Sequence, residues 1–359
     1  MIPVTKPYLP DRARLDAYID RIYDTCWLTN NGPLVKELTE RLKEYLGVEH
    51  LLLVSNGTLA LQIAYRALDI QGTALTTPFS FVATTSSLVW EGIAPKFVDI
   101  DPETFCMNPD LIEEAITPDV SAIVPVHVFG NACEVERIEE IAKKHGLKVI
   151  YDAAHAFGVN YKNKSILDYG DASTLSFHAT KLFHTIEGGA ILFKEKEALE
   201  RAKLLINFGI TGPESIVGLG INAKMNEFQA AMGLAVLDEM EQIKKAREVV
   251  WKRYESNLRG RIQLQKHNLH STNNHAYASV LLKNEPTLLN LKALLEANKI
   301  SPRRYFFPSL NTLSFVTGKA PLSIDVSRRI LCLPIYTDLE EKTIDNICKA
   351  CLKHNTLLP

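Results

Sequence analysis

The sequence lacks the long apolar runs, the leader segment and the dense cysteines that mark several classes of protein. No stretch reaches eighteen consecutive apolar residues, so no membrane-spanning helix is predicted. Residues 1–10 show no apolar centre like that of a secretory signal peptide. Six cysteines scattered over 359 residues do not make a small disulfide scaffold. We therefore predict a cytoplasmic protein with reduced thiols.

Cys348 and Cys351 form a CxxC pair, which in other settings is a redox motif. Here the pair lies inside a helical apolar pattern and not at the start of a helix. A reactive pair needs the helix start to lower its thiol pKa. We predict core or half-buried thiols instead.

The charge balance also excludes partners. The chain carries 40 basic and 42 acidic side chains, a net charge of −2, whereas nucleic acids and anionic membranes favour a basic face. A small anion such as a phosphate needs only a local site. With 46% apolar and 23% charged residues the composition is that of a globular protein. No metal site is expected.

Short apolar runs alternate with amphipathic stretches between residues 50 and about 194, which predicts a mostly parallel sheet covered by helices. The predicted strands are His50–Val54, Thr73–Thr77, Pro95–Val98, Ala122–Val126, Lys148–Tyr151, Ala172–Ser176 and Ala190–Phe193, and the predicted helices are Thr58–Leu68, Asp110–Ile116 and Glu134–His145. Ligands bind beyond the carboxyl ends of such strands, so the residues that follow each strand are the candidates for function.

A glycine-rich loop over Phe208–Asn222 is followed by one long predicted helix, from about Asn226 to Leu258. Beyond it we predict a small α/β domain, with strands over Ala276–Leu282 and Arg329–Leu333 and helices over Leu288–Asn298 and Glu340–His354. The predicted division is a large domain over residues 1–250 and a small C-terminal domain over residues 251–359.

The segment Ser55–Thr58 ends one strand and opens a helix. Free backbone N–H groups, a hydroxyl and a glycine at a helix start suit an anion, although an ordinary N-cap turn has the same composition. Asp152 directly follows a buried strand, and a carboxylate there can pair with a protonated ring nitrogen. Alternatively, Asp152 is a helix N-cap next to a half-buried His155.

Lys181 closes the run Ser176–Lys181 and is followed by Gly188 and Gly189. A lysine beyond a strand can lose its proton by burial and attack carbonyl groups, whereas most lysines are solvated surface residues. Phe81 follows another strand and could stack on a flat ring, although core packing is the commoner fate of phenylalanine.

These features come in a telling order: a phosphate turn, an aromatic, Asp152 about 95 residues after the turn, and Lys181 29 residues after Asp152. That order resembles the fold-type I enzymes that use pyridoxal phosphate (PLP). More closely, the chain resembles the DegT/DnrJ/StrS family of sugar-nucleotide aminotransferases through SNGTLAL, TPFSFVATTSSLVWEG, PKFVDIDPETF, AIVPVHVFGNACE, VIYDAAHAFG, TLSFHATKLFHTIEGGAI, GINAKMNEFQAA and RRYFFPSLN.

The resemblance implies a role for each matching residue. Lys181 would carry PLP covalently, Asp152 would pair with its pyridine nitrogen, and His155 would lie beside the ring near its hydroxyl. Phe81 would cover a ring face, and the phosphate would be held by Gly57, Thr58 and Ser176. Asn222 would reach the phosphate site of a partner subunit in a homodimer with shared active sites, with Lys224 as the competing candidate.

Within the family, the chain resembles enzymes that make dTDP-4-amino-4,6-dideoxyglucose for O-antigen or other polysaccharides. This implies transfer of an amino group from glutamate to C4 of dTDP-4-keto-6-deoxyglucose. Arg303, Arg304 and Tyr305 are candidate contacts for the sugar nucleotide, and both arginines could instead form surface ion pairs. Amination at C3 and a galactose-configured product remain as alternatives. Pro308–Leu310 departs from the family's usual Pro-Leu-His, and Asn56 stands where serine is common.

Other classes of protein fit the sequence less well. Sugar dehydratases related to the family carry histidine at the position of Lys181. A non-catalytic regulator with the same fold could lose Asp152 or Lys181 freely, yet this chain retains both. A simple nucleotide-binding protein needs neither residue.

Overall fold

The computed structural model describes residues 1–356 and is built around one large sheet. Its seven strands, β1 to β7 in chain order, are Leu51–Val54, Thr73–Thr76, Ala94–Phe97, Val120–Val124, Lys148–Asp152, Ala172–Ser176 and Gly189–Phe193. Across the sheet their order is β1, β7, β6, β5, β4, β2, β3. Strand β7 is antiparallel to both neighbours, and the other neighbouring pairs are parallel. The predicted mostly parallel α/β sheet is confirmed.

Each predicted strand of this sheet lies within two residues of an observed one. Alternate residues of a strand point to opposite faces of a sheet, and the two faces pack into two apolar clusters. Ile150 belongs to one cluster, and its neighbours Val149 and Tyr151 belong to the other. Because both faces are buried, the strands are almost continuously apolar, which is why they were predictable from sequence.

Helices cover both faces of the sheet. In chain order, α1 to α12 are Arg12–Thr25, Pro33–Leu46, Gly57–Ala67, Val82–Trp90, Ile112–Ala115, Val135–His145, Lys196–Leu205, Glu227–Asp238, Met240–Leu258, Glu285–Ala297, Pro321–Arg329 and Glu341–Thr356. The helix predicted over Asp110–Ile116 is a short 3-10 turn, Pro109–Leu111, that runs into α5.

The single long helix predicted from about Asn226 to Leu258 is wrong. The chain forms two helices, α8 and α9, which meet at Glu239, where the backbone leaves helical geometry (φ −110°, ψ 9°). Helix α8 is apolar on all sides and packs against α1 and α2, whereas α9 is amphipathic and packs against α12. Because the two segments bury different faces against different partners, a straight continuation would satisfy only one of them.

The C-terminal part of the chain has its own three-stranded antiparallel sheet. Its strands are β8 (Gln263–Leu264), β9 (Ala278–Leu281) and β10 (Ile330–Leu333). A third apolar cluster joins this sheet to α9, α10 and α12, and it contains Cys348 and Cys351. Both thiols are buried and unpaired, as predicted.

The start of the chain is fastened to this C-terminal part. Ile2–Pro3 pairs in parallel with Ile300–Ser301, and the carbonyl of Val4 accepts a hydrogen bond of 3.0 Å from the N–H of Ile335. Ile2 also packs against the third apolar cluster. Residues nearly 300 positions apart therefore complete one structure.

The glycine-rich segment over Phe208–Asn222 is not a plain loop. It contains a short antiparallel pair, Ile210–Gly212 with Ser215–Ile216. Ile216 and Leu219 in this segment are 73% and 71% exposed, so apolar side chains project from the surface.

Candidate active site

A cavity of about 370 Å³ lies beyond the carboxyl ends of β1, β5 and β6. It brings together nine of the predicted site residues, which come from both the large sheet and the C-terminal part: Gly57, Thr58, Phe81, Asp152, His155, Ser176, Lys181, Arg303 and Tyr305. This position is where a parallel sheet with covering helices binds its ligands.

The turn between β1 and α3 forms one wall of the cavity. Asn56 is the N-cap of α3, and its Oδ1 accepts a 2.8 Å hydrogen bond from the N–H of Leu59. A Cβ on Gly57 would lie 2.8 Å from the Cβ of Ser176, so glycine lets the two segments approach. Among residues 1–356, no group is hydrogen-bonded to the hydroxyls of Thr58 or Ser176. Two uncommitted hydroxyls at a helix start suit an anion.

Asp152 ends β5 and is only 6% exposed. Its Oδ2 accepts a 2.7 Å hydrogen bond from the hydroxyl of Thr84, and its Oδ1 accepts a 3.1 Å bond from the N–H of Ala154. Burial raises the pKa of Asp152, while these two bonds and the charge of Lys181 lower it. The two donors are the means by which the fold holds a buried carboxylate.

Lys181 lies in the tight turn after β6, where its N–H donates to the carbonyl of His178 at 2.8 Å. Burial lowers the pKa of Lys181 to about 8, and the attraction of Asp152 opposes that lowering. Within the described part of the chain no group accepts a hydrogen bond from its amine. Lys181 is therefore a poorly solvated amine whose pKa lies near neutral pH. Its neutral form can act as a nucleophile and a general base.

His155 lies in an aromatic setting on the other side of the cavity. Its Nδ1 accepts a 3.2 Å hydrogen bond from the N–H of Phe129, and its ring stacks on Phe306 with centroids 5.7 Å apart. Burial, followed by the charge of Lys181, holds the pKa of His155 well below its usual range. A neutral ring with Nδ1 as acceptor carries its proton on Nε2, which is then available as a donor.

Phe81 is 56% exposed and lines the cavity at the start of α4. An exposed aromatic ring is not contributing to the core, so the alternative that Phe81 is a core residue does not hold. Its position suits stacking on a planar group.

Of the three predicted substrate contacts, Arg303 and Tyr305 line the cavity and Arg304 does not. Arg303 is exposed and lines the cavity, with its guanidinium 5.9 Å from the centroid of the Tyr305 ring. Arg304 is not among the lining residues. It donates to Glu285 at 2.6 Å and to the carbonyl of Arg328 at 3.1 Å. Arg304 is thus committed to the fold.

Asn222 is exposed and does not line this cavity, although its segment contacts the phosphate turn. The carbonyl of Ala223 accepts a 2.9 Å hydrogen bond from the N–H of Ser55. Lys224 donates to Asn207 at 2.9 Å, and burial lowers its pKa. The segment is therefore anchored beside the turn, while Asn222 itself faces outward.

Sequence reasoning missed several residues of the site. Thr84 binds Asp152, and Tyr277 and Phe306 pack against His155. Glu187 and His178 also line the cavity, with the ring Nε2 of His178 3.6 Å from a carboxylate oxygen of Glu187. The i, i+4 spacing of Ser80 and Thr84 after a strand could have suggested that these two hydroxyls lie together. Tyr277 and Phe306 reach the site only through tertiary packing.

No cluster of His, Cys, Asp and Glu in the described chain could hold a metal ion. Nor does any helix within residues 1–356 have the length and apolar character needed to cross a membrane.

Comparison with known sequences gives a match over almost the whole chain. The DegT/DnrJ/EryC1/StrS aminotransferase family matches residues 11–352. An Escherichia coli protein named dTDP-4-amino-4,6-dideoxy-D-glucose transaminase is 41% identical over 98% of each chain. Its namesake from Shigella dysenteriae is 40% identical over 96% of each chain. GDP-perosamine synthase of Vibrio cholerae is 30% identical over 99% of each chain.

Solved structures agree with the sequence matches. DesI, crystallised in the presence of its TDP-sugar product, is 33% identical and superposes with a TM-score of 0.93 over 99% of this chain and 93% of DesI. Helicobacter pylori PseC, an aminotransferase involved in pseudoaminic acid biosynthesis, superposes with a TM-score of 0.91 at 25% identity, over 99% of this chain and all of PseC. The fold predicted from the sequence resemblance is confirmed.

Proposed function

The chain belongs to the DegT/DnrJ/EryC1/StrS aminotransferase family, and on that premise we propose that it is a PLP-dependent transaminase of a nucleotide sugar. The proposed reaction transfers the amino group of glutamate to C4 of dTDP-4-keto-6-deoxyglucose, giving dTDP-4-amino-4,6-dideoxyglucose. The observation that carries the proposal is that one cavity is lined by both a desolvated amine, Lys181, and a buried carboxylate, Asp152. The names of the two relatives at 41% and 40% identity support this product.

The residues that line the cavity suit the chemical groups of PLP. Gly57 removes the side chain that would otherwise block the phosphate turn at Ser176, and the hydroxyls of Thr58 and Ser176 are uncommitted. Phe81 offers an exposed ring for a planar group. Asp152 would pair with the pyridine nitrogen and His155 would donate from Nε2 near the ring hydroxyl.

When bound, PLP supplies an electron sink for the bond that breaks at the donor's α-carbon. Asp152 holds a proton at the ring nitrogen, because a buried carboxylate stabilises a neighbouring cation. Lys181 binds the cofactor through its amine and, once released by the donor, takes the proton from the α-carbon as a general base. Its lowered pKa raises the fraction of neutral amine, which is the form that this step needs.

The sugar nucleotide enters at the mouth of the cavity, where Arg303 and Tyr305 lie. A guanidinium group suits the diphosphate, and an aromatic ring suits a sugar face. Holding the diphosphate at a distance fixes which carbon of the sugar meets the reacting groups. A shift by one carbon would present C3, so regiochemistry is the sensitive part of the proposal.

The product decides between the candidate reactions. Protein, PLP and glutamate are incubated with dTDP- and UDP-linked 4-keto and 3-keto sugars, and each product is analysed by NMR. We expect an equatorial amine at C4 with the dTDP-4-keto substrate. An axial C4 amine would indicate the galactose series, and amination only at C3 would overturn the proposal.

The covalent link to Lys181 has its own test. Borohydride reduction fixes PLP on the lysine that carries it, and peptide mass mapping then locates the modified residue. We expect modification of Lys181, its loss in Lys181→Ala, and its retention in Lys224→Met, which removes the other lysine with a lowered pKa. Modification at any other position contradicts the assignment.

The proposal includes a homodimer with shared active sites. Exposed apolar side chains around Ile216 and Leu219 support it, since monomers seldom leave such groups in solvent together. Asn222 faces outward from the same segment, where it could meet the partner's phosphate site. A cytoplasmic location is also proposed, because all six cysteines are unpaired.

Complementation tests the shared site. We expect Lys181→Ala and Asn222→Ala each to be weak alone, and we expect co-refolding to restore activity in heterodimers that hold one intact site. Native mass spectrometry monitors heterodimer formation. If heterodimers form and activity does not return, Asn222 does not act across an interface, and Lys224→Ala is put through the same assay.

A further inference from the structure

Asp152 is held by a chain of two hydroxyls, one on α4 and one just before that helix. The hydroxyl of Thr84 donates to Oδ2 of Asp152 at 2.7 Å. A further hydroxyl, that of Ser80, lies 2.6 Å from the hydroxyl oxygen of Thr84. Ser80, Thr84 and Asp152 are all buried, and Ser80 and Asp152 line the cavity.

The direction of this hydroxyl chain follows from counting protons. Thr84 has one hydroxyl proton, and a carboxylate can only accept. If Asp152 is ionised, the proton of Thr84 goes to Asp152, and Thr84 must accept from Ser80. The order Ser80 to Thr84 to Asp152 is therefore the one that an ionised carboxylate requires, and it directs the hydroxyl proton of Thr84 to Oδ2.

The hydroxyl chain also links two parts of the cavity. Ser80 and Thr84 flank Phe81, the exposed aromatic at the start of α4. The same turn thus carries both the aromatic side chain and the hydroxyls that hold the carboxylate.

We propose that Thr84, oriented by Ser80, is a positioning residue that holds Asp152 ionised and turned toward the ring nitrogen of the cofactor. The inference rests on the proposed function, since it concerns how that site keeps its carboxylate. It assigns to α4 a role beyond packing.

The physical reason is the competition between burial and hydrogen bonding. Burial favours the neutral form of Asp152, and the donors from Thr84 and Ala154 favour the charged form. Lys181 is the cation that acts on this carboxylate, and His155, Tyr65 and Tyr277 are the other titratable groups around it. Without the Thr84 hydroxyl, Oδ2 would be buried and unpaired, which is costly.

Helix α4 offers a matched control in the next residue. Thr85 is also fully buried, but its hydroxyl has no hydrogen-bond partner within residues 1–356. Thr84→Val and Thr85→Val are therefore the same isosteric change on the same helix, and only the first removes a bond to Asp152.

The experiment measures binding of PLP to the apoprotein and the pH titration of the bound cofactor's absorbance. For Thr84→Val we expect about tenfold weaker binding and a displaced absorbance titration. Thr84→Ser should stay within about twofold of the wild type, and Thr85→Val should match it. Ser80→Ala should change both readouts in the same direction as Thr84→Val, but less. Thermal unfolding of each apoprotein confirms that the variants are folded.

The outcomes separate the two proposals. If the wild type does not bind PLP, the proposed function fails. If the wild type binds PLP and folded Thr84→Val behaves like it, the positioning role is wrong. An equal change in Thr85→Val would also overturn it, because the effect would then come from packing. If Thr84→Val does not fold, Ser80→Ala takes its place. A wild-type absorbance titration in Ser80→Ala would then show that the positioning role is wrong.

Discussion

Two buried carboxylates in this molecule have different roles, one in the fold and one in the proposed active site. Glu227, at the start of α8, is 1% exposed, and its two oxygens accept hydrogen bonds of 2.7 and 3.1 Å from the N–H groups of Leu34 and Val35. These belong to the first turn of α2, whose N-cap, Gly32, has no side chain to bind them. Asp152 is equally buried but borders a cavity and has a cationic neighbour in Lys181.

The difference lies in what each carboxylate leaves unused. Glu227 spends both oxygens on free N–H groups at a helix start, where negative charge is favourable. Asp152 accepts only one backbone bond and one hydroxyl bond, and part of its charge is directed at a cavity. A buried charge that is fully paired supports the fold, whereas one kept available for a ligand reduces stability until the ligand arrives.

The largest expected effect concerns the chemistry. Asp152→Asn should lower kcat by about 10²–10³-fold, because the neutral amide no longer stabilises a protonated ring nitrogen. Glu227→Gln, the same change at the other carboxylate, should leave kcat within about twofold while the protein remains folded. Steady-state rates at saturating substrates measure both. Similar losses of kcat in the two variants would show that Asp152 and Glu227 do not differ in their role in catalysis.

Stability should respond in the opposite order. Glu227→Ala leaves two N–H groups at the start of α2 unpaired and should lower the free energy of unfolding by about 2–3 kcal/mol. Asp152→Asn should cost less than about 1 kcal/mol in the apoprotein, because it removes a buried charge along with its bonds. Denaturant unfolding with unchanged m-values is the measurement. A larger loss for Asp152→Asn would contradict the comparison.

Lys181 should destabilise the apoprotein. Its pKa is about 8 in the folded chain and near 10.4 when exposed, so between these values the unfolded chain binds more protons and stability rises with pH. Below about pH 8 the full penalty is present. Lys181→Met should therefore stabilise the apoprotein by up to about 3 kcal/mol at pH 7, since the pKa of about 8 already includes the attraction of Asp152.

Unfolding of wild type and Lys181→Met from pH 7 to 10 provides the check. The advantage of the variant should shrink as pH rises, since the wild-type lysine becomes neutral in the folded state. A difference independent of pH would show that packing, and not charge, is responsible.

The smallest expected effect repeats the comparison with two adjacent arginines. Arg303→Gln should raise KM for the sugar nucleotide about three- to tenfold, because a partly solvated contact to a diphosphate contributes about 1 kcal/mol. Arg304→Gln should leave KM unchanged and lower the melting temperature, since Arg304 is bound to Glu285. If Arg304→Gln raises KM and Arg303→Gln only lowers the melting temperature, then Arg304 and not Arg303 contacts the sugar nucleotide.

The sheet was predictable because its strands depend on short-range patterns, whereas the roles predicted for the site residues came from the resemblance to the family. Asp152, Ser176 and Lys181 lie at the ends of strands or directly after them, where doubly covered sheets bind ligands. Arg303 and Arg304 are the same residue type in the same pattern, and only the contacts with Glu285 and with the cavity distinguish them.

Longer-range features escaped prediction for a physical reason. The break at Glu239 arises because α8 and α9 pack against different helices, which no periodicity within that segment contains. Helices α1 and α2 precede the first predicted strand and were not predicted. Tyr277 and Phe306 reach His155 from a separate sheet and loop, so their roles depend on the completed fold.

The pairing of Ile2–Pro3 with Ile300–Ser301 also sets the timing of assembly on the ribosome. At about 5–20 residues per second, the partner strand is made roughly 15–60 seconds after the first residues emerge. The large sheet between residues 51 and 193 can form during that interval, while Ile2–Pro3 has no partner strand. The pairing of these two strands can thus form only after residues 51–193 have been synthesised.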